Sequence, residues 1–162
     1  MNTVDRTELM SAYLAAWNAR DAKRIASFFA DGAVYEDRGA GTTARGSGEI
    51  EIHAERIHHA FPDLRFDLVR AAHGEDFTAG EWRSRMTHTG SFDGLAPTGK
   101  VVESSGVDVA TLDEAGEIVH LASYYDGAAI MRSLGLLPAR ASRLERALVR
   151  GYSAISSLRR RA

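Results

Sequence analysis

The order of segments in this chain predicts an α+β domain. Three stretches with helical apolar spacing come first, and four strand-like runs separated by turn signals follow them. The alternating strand–helix order of a parallel doubly wound sheet is missing, so a dinucleotide-binding architecture is not expected. Between Asp5 and Ala19, Leu9, Met10, Tyr13, Leu14 and Trp17 recur at helical spacing, with Asp5 and Glu8 as a capping pair. Asp21 caps a second helix whose buried face is Ile25, Ala26, Phe28 and Phe29, and Asp31-Gly32 stops it. A short strand, AVYED, follows. The stretch from Arg38 to Gly48 is rich in glycine and small polar residues and reads as a mobile loop, a common border for sites.

Ser47 opens a third helix that places Ile50, His53, Ala54, Ile57 and Phe61 on one side and ends at Pro62-Asp63. The strands are RFDLVRAA, TAGEWRSRMTHTG, KVVESSGVDVATL and EIVHLASYYD, separated by HGED, SFDGLAPTG and DEAG. Gly and Asp in the separators tolerate the backbone angles of tight turns, so a meandering antiparallel sheet is expected. Alternation in the second long strand sends Trp82, Ser84, Met86 and His88 inward and Glu81, Arg83, Arg85 and Thr87 outward. The last strand is apolar on both faces, which predicts a cover on each side, one of them a second subunit. The short helix GAAIMRSLG ends at Gly135, and a last helix is expected from about Ala139 to Leu158.

A chain of 162 residues, 44% hydrophobic and 26% charged, suits one domain with a sizeable core. Without cysteine there is no disulfide, thiolate metal site or cysteine nucleophile. The charged first residues and the lack of any run near the roughly 20 apolar residues of a membrane span predict a cytoplasmic protein. The net charge of -2 conceals an asymmetry, because the tail from Pro138 carries seven arginines against one acid, a net of +6 that leaves -8 on the rest. The division expected is therefore a domain over 1–137 and an arginine-rich helical extension over 138–162. The extension is expected to contact an acidic surface, above all this protein's own body; an anionic lipid surface is the alternative, and no nucleic-acid partner is expected.

Three stretches, AAWNARDAKRIASFFADGAVYED, AFPDLRF and THTGSFDGLAPTGKVVESSGVDV running into GEIVHLASYYDGAAIMRSLGL, together resemble the SnoaL-like polyketide cyclases of the nuclear transport factor 2-like superfamily. The resemblance covers roughly residues 5 to 137 and leaves out the tail. It implies a curved antiparallel sheet wrapped by the N-terminal helices into a cone, with a deep pocket for a hydrophobic small molecule. It also implies a homodimer, no metal or organic cofactor, and an aspartate at the position of Asp126 acting as acid and base in an aldol ring closure. Such a carboxyl must have its pKa raised by desolvation to match the proton it moves. The competing role for Asp126 is the N-cap of GAAIMRSLG, and the two can overlap.

His88 is the second catalytic candidate, able to hydrogen-bond an enolate oxygen or orient Asp126, with a satisfied core histidine as the alternative. The candidate pocket set is Tyr13, Trp17, Tyr35, Asp37, His53, Trp82 and Asp108. Asp108, between Val107 and Val109 on an ambiguous face, needs solvent or a partner, and an ion pair with an arginine is its structural alternative. Tyr13 and Trp17 suit stacking but equally suit the core. None of the six histidines forms an i, i+4 pair on a helix, so no metal site is expected. Related epoxide hydrolases carry an aspartate where this chain has Ser123 and use an inner-strand arginine, whereas Arg83 and Arg85 face outward here; that chemistry is not expected. Isomerase- and dehydratase-like reactions stay open, as does a non-catalytic ligand-binding or dimerisation module.

Overall fold

A computed structural model describes residues 3–159, with side chains described for 8–153. Helix α1 (Thr3–Asn18) starts ahead of Asp5, and the Asp5 side chain of the expected Asp5–Glu8 cap lies outside the described residues. Helix α2 (Ala22–Ala26) is capped by the Asp21 side chain, which accepts from the Arg24 N–H at 2.9 Å. It is shorter than its apolar run predicts, because Phe29 already belongs to strand β1 (Phe29–Asp37). Asp31-Gly32 therefore lies within the strand, at a register shift between Phe29 and Val34 where Gly32 takes φ 72°. The glycine-rich stretch also departs from expectation: Thr42–Arg45 forms strand β2, antiparallel to β1.

Helix α3 (Gly46–Ala60) then leads to β3 (Arg65–His73), β4 (Phe77–Thr87), β5 (Val101–Leu112) and β6 (Ile118–Tyr125). These make one six-stranded, curved and unclosed sheet in the order β2-β1-β6-β5-β4-β3. The run from β3 to β6 is the expected antiparallel meander. The pairing of β1 with β6 is parallel, a long-range contact that no local signal announces. Helices α1 and α3 pack on the concave face, and the core between them holds Leu14, Ile25, Ile50, Val102, Ala110 and Leu121, all buried. On β4 the alternation is as read, with Trp82, Ser84 and Met86 buried and Arg83 and Arg85 exposed.

Helix α4 (Gly127–Leu134) follows β6 and ends at Gly135 in the left-handed conformation. Helix α5 (Arg143–Arg159) is amphipathic, yet Leu144, Leu148 and Tyr152 are 60%, 57% and 75% exposed. The expected docking of the tail on its own body is thus not seen among the described side chains; Glu145 at 3.8 Å from Arg132 is the ion pair that ties the helix back. No helix of the described residues is long and apolar enough to cross a membrane.

Candidate active site

The register of three adjacent strands places three polar residues in one row across the concave face. Asp37 on β1 stands opposite Ser123 on β6, and Ser123 stands opposite Asp108 on β5. With neighbouring strands about 4.8 Å apart, the two aspartates are separated by about two strand spacings. Both are buried, Asp37 at 4% and Asp108 at 5% exposure. Both line a cavity whose empty space is about 800 Å³ when the open solvent at its mouth is counted. Its walls are largely aromatic and aliphatic: Trp17 from α1, His53 and Ile57 from α3, Phe66 from β3, Trp82 and Met86 from β4 and Ile130 from α4.

Asp108 is held rather than free. Its Oδ1 accepts from Trp82 Nε1 at 2.9 Å and from Ser123 Oγ at 2.6 Å. The predicted alternative for Asp108, an ion pair with an arginine, is replaced by these two neutral donors. Burial penalises the charged form and pushes the carboxyl up to about 6; the two hydrogen bonds oppose the rise, and the negative Asp37 nearby adds to it. Both bonds fall on Oδ1, so Oδ2 has no hydrogen-bond partner among the described residues. Gly106, two residues earlier on β5, makes the Trp82 contact possible: a Cβ there would sit 2.5 Å from an indole ring carbon and 2.5 Å from the Tyr124 carbonyl oxygen.

Asp37 ends β1, where its Oδ1 accepts from the Ala40 N–H at 2.8 Å and so shapes the turn into the glycine-rich segment. Its Oδ2 lies 3.8 Å from His53 Nε2, beyond hydrogen-bond distance. Burial lowers the His53 pKa, with Asp37 opposing, so the ring is neutral at neutral pH. The Tyr35 ring leans on His53 at 4.9 Å between centroids. Tyr125, at the end of β6, closes the same corner, and burial followed by the charge of Asp37 drives its phenol well up, which keeps it protonated. Gly39 lets that ring lie close, since a Cβ at 39 would sit 2.3 Å from it.

Of the nine candidate residues, the cavity brings together Trp17, Tyr35, Asp37, His53, Trp82 and Asp108. Tyr13 is 1% exposed and sits behind the wall, edge-on to Trp17, Phe28 and Phe29, which makes it core. His88 is also outside the lining. Its Nδ1 accepts from the Thr98 N–H at 3.2 Å and its ring leans on Phe61, so it pins the turn between β4 and β5. An accepting Nδ1 puts the proton of the neutral ring on Nε2, which is buried without a hydrogen-bond partner among the described residues. Burial lowers the His88 pKa, in keeping with a neutral ring.

Asp126 is exposed, caps α4 by accepting from the Ala129 N–H at 2.9 Å, and does not line the cavity. Asp126 is thus the expected cap and stands outside the cavity lining. Asp126→Ala is expected to cost about 1 kcal/mol of stability, as other lost N-caps do, and to leave turnover intact. Thermal melts alongside an activity assay check this; a folded variant without activity would return the base to Asp126.

Ser123 and Tyr125 line the cavity and were not among the candidates taken from the sequence. The one available signal was that Ser123 occupies the place where related hydrolases carry an acid. Among the described residues no cluster of three or more His, Cys, Asp or Glu could hold a metal ion.

The curved six-stranded sheet with helices on its concave face is a nuclear transport factor 2-like, ketosteroid isomerase-like α+β fold. The family model for the SnoaL-like polyketide cyclases matches residues 7–134, and the chain belongs to that family. Among curated proteins none matches. A putative hydroxylase from Streptomyces galilaeus, AclR, superposes with a TM-score of 0.75 at 23% identity, covering 98% of each chain and hence the arginine-rich extension as well. IdmH, a putative polyketide cyclase from Streptomyces antibioticus, is similar with a TM-score of 0.67 at 22% identity over 80% of this chain and 98% of that one. A putative SnoaL-like polyketide cyclase from Jannaschia sp. CCS1 gives 0.69 at 17% identity over 82% and 94%.

Proposed function

We propose that this protein carries out acid–base chemistry on a hydrophobic, polyketide-like carbonyl compound, with Asp108 as the proton-transfer group. The observation that carries this reading is the placement of Asp108: buried in an apolar cavity, fixed through one oxygen by Trp82 and Ser123, and open through the other. A carboxyl pushed up to about 6 is a stronger base than an ordinary aspartate and is still ionised at neutral pH. In an aldol ring closure, Asp108 Oδ2 takes a proton from the carbon next to a ketone. The resulting enolate carbon forms the new bond to a second carbonyl, and the alkoxide takes the proton back from Asp108. Isomerisation uses the same group, with the proton returned to a different carbon. Epoxide opening of the hydrolase kind is disfavoured, since among the described residues no arginine lines the cavity and Ser123 stands where an acid would be needed.

Deuterium exchange tests the shared first step without knowledge of the substrate. In deuterated buffer the protein is expected to speed exchange at the α-carbon of tetralone, a bicyclic aryl ketone. Because the ionised form is the base, the rate should rise with pH through about 6 and level off above it. Exchange no faster than in matched buffer would count for a purely ligand-binding module.

A further inference from the structure

Asp37 is a second buried carboxylate in the cavity, and the proton transfer assigned to Asp108 does not use it. Its Oδ1 is occupied by the Ala40 N–H, the Tyr125 hydroxyl lies beside the carboxylate, and His53 Nε2 stands 3.8 Å from Oδ2. Among the described residues no lysine or arginine lines the cavity, and His53, the one histidine of the lining among them, is kept neutral by burial. The aspartate is flanked by aromatic rings, Tyr35 and Tyr125, with Trp17 and Trp82 further along the walls. Aromatic faces and a carboxylate oxygen together attract an organic ammonium, through the ring quadrupoles and a charge-assisted hydrogen bond. A carboxylate or phosphate in the same place would face two buried negative groups with no cation to offset them.

We propose that Asp37 anchors a protonated amine on the ligand, so that the cavity selects amine-bearing ring compounds over carboxylates and phosphates. Asp37 ends β1 at the glycine-rich segment, while Asp108 lies about two strand spacings away on β5. The ligand accordingly spans the row, its amine at Asp37 and its reacting carbonyl at Asp108. The inference rests on the cavity being the ligand site, as the acid–base reading has it, but not on catalysis itself.

Both tryptophans of the chain, Trp17 and Trp82, line the cavity, so intrinsic fluorescence reports on its occupancy. Three adamantane probes of one shape separate charge from fit: adamantylamine, adamantanol and adamantanecarboxylate. At a pH above 7 the amine is expected to bind at least about tenfold more tightly than the alcohol, and the carboxylate more weakly than either. Asp37→Asn should abolish the preference for the amine over the alcohol. Should that variant fail to fold, Asp37→Glu, which keeps the charge and shifts it by one methylene, should retain the preference at reduced strength. Carboxylate binding equal to that of the amine, an amine preference that survives Asp37→Asn, or no response to the amine up to millimolar concentration would each overturn the proposal. Ketone exchange that proceeds while the amine fails to bind sinks the anchor and leaves Asp108 as base; amine binding without exchange does the reverse.

Discussion

Asp108→Asn is expected to lower ketone exchange by about 10²–10⁴-fold, the usual range for loss of a positioned acid–base group, while making the protein more stable at neutral pH. The two effects share one cause. An asparagine can still accept from Trp82 Nε1 and Ser123 Oγ, so the wall stays intact, but it has no charge to desolvate. Folding raises the Asp108 pKa from 3.8 to about 6, so the folded state holds this proton more tightly than the unfolded chain. Stability from this group is fully present below pH 3.8 and is lost as pH rises through about 6. The forfeited amount is about 3 kcal/mol above that window. Denaturant titrations should therefore show the variant gaining up to about 3 kcal/mol at pH 7 to 8 and little near pH 4. A variant that is less stable at neutral pH would mean that Asp108 is a structural acid; one with full exchange activity would remove it from the chemistry.

Gly106→Ala is expected to disturb the site through a single added methyl group. The new Cβ would meet the Trp82 ring and the Tyr124 carbonyl at 2.5 Å each, and the carbonyl belongs to the neighbouring strand. The backbone of a central strand cannot withdraw, so the indole must. Overpacking of this kind costs about 1–3 kcal/mol. The displaced indole gives up its hydrogen bond to Asp108, which removes one of the two contacts that hold that carboxyl down. The pH at which exchange reaches half its plateau should therefore move upward from about 6, and the tryptophan emission should shift. Unchanged emission with wild-type stability would show that Gly106 is not what admits the indole.

How far the site was legible in the sequence follows from the range of each interaction. Alternation along β4 identified Trp82 as inward-facing, because facing is a local property with a period of two. Asp108 was found as an acid among valines but left on an ambiguous face. Its partners Trp82 and Ser123 are 26 and 15 residues away, joined to it only by strand pairing. Asp126 drew attention because the resemblance put the acid there, and its cap was equally visible in the residues that follow it. The cap survives in the structure because a short-range hydrogen bond needs nothing from the rest of the chain.

The sequence by itself determined the α+β order, the antiparallel meander of β3 to β6, the caps at Asp21 and Asp126 and the family, since each depends on local spacing or on motifs read along the chain. Only the tertiary structure decided that β1 inserts parallel to β6, and with it the row Asp37, Ser123, Asp108 that faces the cavity. That row joins residues 71 positions apart, and a one-residue slip in either pairing would turn an aspartate to the opposite face of the sheet. The desolvation that raises the Asp108 pKa is likewise a property of the assembled cavity, walled by α1, α3 and the far strands together.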